Sequence, residues 1–198
     1  MNGLFSQADA LLIVFKKEYL QRPEVVIITG DVHSGKTTFA QKIVADLHEQ
    51  KIRIAGFFSV GINENDIRIG FTLVDIGSSR QIELCSDKKN EKRLKFGRYY
   101  FNSDAISLGN EILSSNNLSD KQLIVIDEVG HLELNGQGWS NAIENITRNN
   151  TVPQLWIVRK SLVQKCSRRW NIGNAYIFDI TESSIQEAEN KLSAILFR

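Results

Sequence analysis

The strongest restriction on the fold of this chain is an apolar run followed by a glycine-bounded turn and an amphipathic segment. Residues 25–29 are Val-Val-Ile-Ile-Thr, directly before Gly30. A short run that is apolar throughout is typical of a strand buried on both faces, as strands are in parallel sheets. Between residues 35 and 50 the apolar side chains instead recur every three or four positions, which predicts a helix. A strand, turn and helix in this order indicate an α/β fold.

The turn between this strand and helix matches the pattern G-x-x-x-x-G-K-[ST]. Glycines at its two ends let the backbone wrap tightly, so that successive N–H groups converge on an anion, and the helix adds the positive end of its dipole. Lys36 can reach the β- and γ-phosphates, and the Thr37 hydroxyl is placed to ligate Mg²⁺. The turn therefore predicts a nucleoside-triphosphate site with contacts from Gly30, Asp31, Val32, His33, Ser34, Gly35, Lys36, Thr37 and Thr38.

A pair of acidic residues follows the most hydrophobic short run of the chain, residues 123–126. Asp127 and Glu128 come directly after this run, and an acid at the carboxyl end of a central parallel strand lies in the crevice where α/β folds bind ligands. We expect Asp127 to hold Mg²⁺, or a water bound to it, opposite Thr37. Glu128 is the candidate to orient and deprotonate an attacking water, although neighbouring carboxylates can exchange these two roles.

The rest of the chain alternates apolar runs with amphipathic segments, which predicts a mainly parallel sheet covered by helices. Residues 52–101 depart from this pattern because two β-rich runs, 52–60 and 67–76, are separated by a polar loop, as in a hairpin. We therefore expect an antiparallel insertion over residues 52–101 within a domain that spans 23–198. An amphipathic helix over residues 1–22 is expected to precede this domain. The other predicted strands are 81–86, 98–101, 154–158 and 175–180, and the other predicted helices are 103–114, 138–148, 161–169 and one that begins at 183 or 184.

Composition excludes several classes of protein. The 198 residues carry 24 basic and 23 acidic side chains, a net charge of +1, so there is no electrostatic case for nucleic acid as a partner. Cys85 and Cys166 are far apart and form no C-x-x-C pair, which argues against a disulfide framework or a zinc site. No segment reaches the roughly 18 uninterrupted apolar residues that a membrane helix needs. No basic segment precedes the apolar residues of the N-terminus, as one would in a signal peptide, and we therefore expect a cytoplasmic protein.

Taken together, these segments resemble a known group, the small P-loop nucleoside-triphosphatases that include the cancer-related nucleoside-triphosphatase. Residues 28–38 resemble the phosphate loop of that family, and Ala55-Gly56-Phe57-Phe58 followed by residues 67–71 resembles its "GF…R-x-GF" hairpin. Residues 97–100 resemble a glycine-tyrosine element, and residues 126–134 resemble a "DEIG-x-MEL" segment. The resemblance implies the three-layer P-loop fold, Mg²⁺ as cofactor, and hydrolysis of nucleoside triphosphates to diphosphate and phosphate with broad base tolerance.

The chain departs from that family at the tip of the phosphate loop. Val32-His33 stands where a proline-glycine pair is usual, so the tip can have a different shape. His33 can touch the γ-phosphate or point to solvent, and we expect the solvent orientation.

Two basic residues are candidates for the cation that the reaction requires, because negative charge develops on the transferred γ-phosphoryl group. Arg159 and Lys160 directly follow the predicted strand 154–158, and we expect one of them to be catalytic, the alternative being a solvated strand exit. Arg68 lies on the predicted hairpin. It is a candidate for a nucleotide or phosphate contact, or else for an ion pair that holds the hairpin.

Three functions agree with these patterns. The favoured one is a Mg²⁺-dependent nucleoside-triphosphatase acting on ATP- or GTP-type nucleotides. A P-loop kinase that passes the γ-phosphoryl group to a nucleoside, polynucleotide or small-molecule hydroxyl would grip its donor in the same way. A nucleotide-gated adaptor would instead use slow hydrolysis to time the docking of a protein partner, with the N-terminal helix and the basic run 88–95 as its docking surface.

Overall fold

The computed structural model describes residues 23–198, so the amphipathic helix predicted for residues 1–22 lies outside the described residues. Strands and helices alternate along the described part of the chain. In order, the elements are β1 (Val25–Gly30), α1 (Lys36–Glu49), β2 (Ile54–Glu64), β3 (Ile67–Asp75), β4 (Gln81–Ser86), β5 (Leu94–Phe96), β6 (Tyr99–Phe101), α2 (Ser103–Ile112), α3 (Ser115–Leu118), β7 (Leu123–Ile126), α4 (His131–Leu134), α5 (Ser140–Asn149), β8 (Gln154–Arg159), a 3₁₀ turn (Lys160–Leu162), α6 (Val163–Trp170), β9 (Tyr176–Asp179) and α7 (Ile185–Leu196).

The strands form one nine-stranded sheet in the order β5-β6-β4-β3-β2-β7-β8-β1-β9. The last five strands of this order are parallel to one another, namely β2, β7, β8, β1 and β9. The other four, β3, β4, β6 and β5, are antiparallel and extend the sheet beyond β2. The α/β fold with a parallel core and an antiparallel part is thus confirmed, and the carboxyl ends of β1, β7 and β8 lie at the same edge of the sheet.

Helices cover both faces of the sheet, as alternate residues of β1 show. Val25 and Ile27 belong to a buried cluster that includes residues of α2, α5 and α6. Val26 and Ile28 belong to a second cluster, which includes residues of α1 and α7. All four side chains are at most 3% exposed, and burial of each contributes about 1.5–3 kcal/mol of hydrophobic free energy. The predicted buried strand and the three-layer arrangement are therefore both present. None of the helices within residues 23–198 combines the length and the hydrophobicity that a membrane-spanning helix requires.

The antiparallel part begins within a core strand. Residues 54–57 of β2 pair in parallel with β7, whereas residues 57–64 of the same strand pair with β3 in antiparallel fashion. The segment predicted as an insertion over residues 52–101 is therefore continuous with the parallel core. A movement of β2 would be transmitted to both parts of the sheet.

Three short elements have no counterpart among the predicted ones, namely β5, α3 and α4. Each has only three or four residues, too few to show a hydrophobic period. The strand β5 also lies at the edge of the sheet and reads Leu-Lys-Phe within a basic run, so its sequence is typical of a solvated loop.

Candidate active site

The phosphate loop connects β1 to α1, as its sequence predicts. Gly35 precedes the first residue of α1 with φ of 93°, a left-handed conformation that a side chain disfavours. The Lys36 side chain turns back over the loop and donates a hydrogen bond from Nζ to the Asp31 carbonyl, at 2.5 Å. Burial lowers the pKa of Lys36, opposed by the Glu128, Asp127 and Asp31 carboxylates. A phosphate anion in this loop would therefore meet a cation that is largely withdrawn from water.

Asp127 lies at the carboxyl end of β7 and is completely buried. Its Oδ2 accepts hydrogen bonds from the Thr37 hydroxyl and from the Ser59 backbone N–H, both at 2.9 Å. Its Oδ1 accepts the Glu128 backbone N–H at 2.8 Å. Burial raises the pKa of Asp127 to about 7, assisted by the Glu128 charge and opposed by these three donors. The hydrogen bond from Thr37 joins residues 90 positions apart, so the phosphate loop and the acidic strand end lie side by side.

The Thr37 hydroxyl and the Asp127 carboxylate together fit a magnesium ion. Both are hard oxygen donors, and a buried carboxylate with a raised pKa gains from a cation beside it. Residues 23–198 contain no cluster of three or more histidine, cysteine, aspartate or glutamate side chains that could hold a metal. A hydroxyl and one carboxylate suit Mg²⁺, which commonly takes one or two protein oxygens and completes its shell with phosphates and water.

Glu128 follows Asp127 with a left-handed backbone conformation, φ 59°, which is uncommon for a residue other than glycine. Its side chain is part of the wall of the phosphate cleft. There Oε2 lies 3.3 Å from Nη2 of Arg159, the last residue of β8. A carboxylate and a guanidinium, from the ends of adjacent strands, therefore face the space in front of the phosphate loop.

The phosphate cleft has a volume of about 240 Å³. Most of the residues predicted to bind the nucleotide line it, together with two residues of the predicted catalytic set. These lining residues are Val32, His33, Ser34, Gly35, Lys36, Thr37, Thr38, Arg68, Glu128 and Arg159. Gly30, Asp31 and Asp127 are not part of the wall, although Asp31 and Asp127 contact wall residues through hydrogen bonds. His33 is exposed at the loop tip.

Lys160 lies apart from the phosphate cleft. Its Nζ is 2.8 Å from Oδ2 of Asp179 and 3.8 Å from Oε1 of Glu182. The hydrogen bond from Lys160 is the main reason why the pKa of Asp179 is lowered to about 2. Although Lys160 follows Arg159 in sequence, the structure does not place the two cations in the same wall.

Arg68 reaches the phosphate cleft from β3. Its guanidinium packs over the Phe71 ring, 5.0 Å from the centroid, and its Nε donates to Asn63 Oδ1 at 2.7 Å. It also lies across Gly61 of β2, where an added Cβ would come within 2.0 Å of the guanidinium. Within residues 23–198 the Arg68 guanidinium forms no ion pair, so the described residues give no support to the alternative that Arg68 holds the hairpin through one.

Five residues of the cleft were missed by the sequence patterns: Gln41, Ser59, Val60, Gly61 and Phe71. Ser59 contributes a backbone N–H to Asp127, and a backbone group leaves no signal in the side-chain pattern. Its role depends on the register of β2 against β7, which a single sequence does not specify. Phe71 is part of the hairpin segment 67–71 that carries the family resemblance. That resemblance was the only indication in the sequence that Phe71 lies near the site.

The sequence is similar to one protein family over most of its length. The profile of a protein family described as NTPase matches residues 25–192. The chain is 32% identical over 136 residues to a nucleoside-triphosphatase THEP1 of Saccharolobus solfataricus, covering 69% of this chain and 76% of the relative. It is 31% identical over 173 residues to that of Caldivirga maquilingensis, covering 86% of this chain and 96% of the relative.

Two solved structures have a similar fold. The crystal structure of THEP1 from Aquifex aeolicus superposes with a TM-score of 0.67 at 23% identity and covers 88% of this chain and 99% of its own. The solution structure of a human cancer-related nucleoside triphosphatase gives a TM-score of 0.64 at 21% identity and covers 88% and 96%. At these identities, the two structures support the fold.

Proposed function

Because the chain belongs to the NTPase family that includes the THEP1 nucleoside-triphosphatases, we propose that it hydrolyses ATP- and GTP-type nucleotides to the diphosphate and phosphate, with Mg²⁺ as cofactor. The family makes it a nucleoside-triphosphatase. One observation carries the assignment of the site: the 2.9 Å hydrogen bond from Thr37 to Asp127, which brings the phosphate loop against the acidic strand end. Hydrolysis needs the phosphate loop, which binds the nucleotide, and the acidic strand end, which activates water, in the same cleft.

The phosphate loop holds the triphosphate in this proposal. Backbone N–H groups of residues 31–37 and the Lys36 ammonium bind the β- and γ-phosphates, with Arg68 as a further phosphate contact from β3. Thr37 and Asp127 would hold Mg²⁺, which, when bound, neutralises charge on the phosphate oxygens. Asp127 stays in place through the hydrogen bonds from Ser59 and Glu128 backbone N–H groups.

Glu128 is the proposed general base. Its carboxylate orients a water molecule and accepts a proton from it while the water oxygen bonds to the γ-phosphorus. The bond from the γ-phosphorus to the bridging oxygen breaks, and its electrons leave with the nucleoside diphosphate. Arg159, whose guanidinium lies against Glu128, neutralises the charge that develops on the γ-phosphoryl group. Lys160 was the other candidate for this cation, and its ion pair with Asp179 favours Arg159.

Substitution of the proposed base tests this assignment. Glu128→Gln keeps the size of the side chain and removes its ability to accept a proton, so we expect kcat to fall by about 10²–10⁴-fold. The affinity for Mg²⁺-ATP, measured by calorimetry, should change by no more than about threefold, because Glu128 does not hold the phosphates.

The matched control is Glu111→Gln, at an exposed position of α2. It should hydrolyse ATP like the wild type. Full turnover by Glu128→Gln would show that the base is a different residue.

A further inference from the structure

A second and larger cavity adjoins the phosphate cleft. Its volume is about 450 Å³, and it lies between the antiparallel part of the sheet and the segment from Glu128 to Trp139. Five aromatic side chains line it: Phe71, Phe96, Tyr99, Phe101 and Trp139. We refer to it as the aromatic cavity. Its volume falls within the range of sites for small organic ligands, about 300–1,000 Å³.

The aromatic cavity and the phosphate cleft share four residues of their walls, Ser59, Phe71, Glu128 and Arg159. Glu128 therefore borders both spaces. Hydrolysis requires one water molecule beside this carboxylate, and a water occupies only about 30 Å³. The aromatic cavity is far larger than the attacking water needs, and aromatic side chains make up much of its wall.

The wall of the aromatic cavity also contains polar groups. Glu133 is 1% exposed, and its Oε2 accepts the Gly130 N–H at 3.0 Å. Arg98, which packs over the Tyr99 ring at 4.9 Å from the centroid, lies in another part of the wall. Apolar aromatic walls with a few polar groups are typical of sites that bind flat organic molecules.

We propose that the aromatic cavity binds a nucleoside, and that the enzyme transfers the γ-phosphoryl group of its nucleotide to a hydroxyl of that nucleoside. The flat base stacks on the aromatic rings, and the sugar hydroxyl lies beside Glu128. This inference rests on the proposed function, because the donor occupies the phosphate cleft in both reactions. The inference adds the nucleoside as a second ligand. It also adds the nucleoside hydroxyl, beside water, as a second acceptor of the γ-phosphoryl group.

The transfer uses the same groups as hydrolysis. The nucleoside hydroxyl oxygen bonds to the γ-phosphorus, and the hydroxyl proton passes to the Glu128 carboxylate. The bond between the γ-phosphorus and the bridging oxygen breaks, and its electron pair leaves with the nucleoside diphosphate. The products are a nucleoside diphosphate and a nucleoside monophosphate, so phosphorus and protons balance without a further reactant.

The test supplies the full chain with Mg²⁺ and ATP labelled at the γ-phosphate, alone or with adenosine, guanosine, cytidine or uridine. We expect label in a nucleoside monophosphate with at least one of the four, and less label in free phosphate than in the reaction without a nucleoside. Phe96→Ala, on the edge strand β5, removes a stacking ring. It should lower the ratio of labelled nucleoside monophosphate to free phosphate about tenfold.

The matched control is Leu94→Ala, which changes the same edge strand at a residue outside the wall of the aromatic cavity, and it should keep the wild-type ratio. If phosphate is released and none of the four nucleosides takes up label, the inference is wrong and the proposed function stands. An equal ratio in wild type and Phe96→Ala would also overturn it. Absence of phosphate release in the reaction without a nucleoside would instead count against the proposed function.

Discussion

At the scale of single residues, Arg159 and Lys160 show how neighbours in sequence can differ in role. Arg159 ends β8 in the wall of the phosphate cleft and pairs with Glu128, whereas Lys160 begins a 3₁₀ turn and pairs with Asp179. The sequence presented both cations at a strand end and offered no means of separating them. The difference arises because the chain turns between the two residues.

We expect Arg159→Ala to lower kcat about a hundredfold or more, because it removes a cation that faces the developing charge. Lys160→Ala should change kcat by no more than about threefold and leave the urea midpoint of unfolding close to that of the wild type, since the ion pair of an exposed lysine contributes little to stability. Phosphate release and urea unfolding of both variants provide the measurement. A larger loss of turnover in Lys160→Ala than in Arg159→Ala would contradict the assignment.

Glu133 gives a prediction about pH. Burial raises the pKa of this carboxyl to about 7 in the folded protein, from about 4.5 in the unfolded chain. The unfolded state therefore releases the proton at lower pH than the folded state does, and this group lowers the unfolding free energy as pH rises from about 4.5 to about 7. The Glu133→Gln variant has no ionisable group at this position. Its unfolding free energy should therefore decline over this pH range by up to ~3 kcal/mol less than that of the wild type.

The measurement is urea unfolding at about pH 4 and about pH 8, on either side of the interval between the two pKa values. Part of the decline should remain in Glu133→Gln, because burial also raises the pKa of Asp127 to about 7. An unfolding free energy that changes between these pH values by the same amount in wild type and variant would contradict the prediction.

At the scale of elements, the contact between β2 and β7 determines where Ser59 meets Asp127. Gly56 lies opposite Val125 in this pairing with φ of 127°, and an added Cβ would lie 1.9 Å from the Val125 carbonyl oxygen. A side chain here would force the two strands apart. The Ser59 N–H, three residues further along β2, would then lose its position against Asp127.

We therefore expect Gly56→Ala to lower the unfolding free energy by about 3 kcal/mol or more, measured by urea denaturation. Gly173→Ala is the matched control, because its Cβ would enter open space and its backbone is not left-handed. It should change stability by less than about 1 kcal/mol. A Gly56→Ala variant that unfolds at the same urea concentration as Gly173→Ala would contradict the close approach of the two strands.

The elements that could be predicted from sequence are those with enough residues to show a pattern. Residues 25–29 and 123–126 were recognised as buried strands because they are apolar throughout, and both lie in the parallel core. The edge strand β5 and the helices α3 and α4 were missed because they have only three or four residues. The joint role of β2 in both parts of the sheet was also missed, since strand pairing depends on partners distant in sequence.

At the scale of the whole molecule, the phosphate cleft could be predicted and the aromatic cavity could not. The cleft follows from two local motifs together with the rule that parallel strands end at a common edge. The aromatic cavity is formed where β3 to β6 fold against the segment after β7. Phe96, Phe101 and Trp139 have no common motif and meet only in the folded chain.

The central claim, that the phosphate loop binds the nucleotide that this protein hydrolyses, is tested most directly by phosphate release from Mg²⁺-ATP and Mg²⁺-GTP. Lys36→Ala is compared with Lys42→Ala, an exposed position of the same helix α1. Loss of the Lys36 ammonium should lower kcat/KM for both nucleotides about a hundredfold or more, while Lys42→Ala should match the wild type. Equal hydrolysis by Lys36→Ala and the wild type would contradict the account.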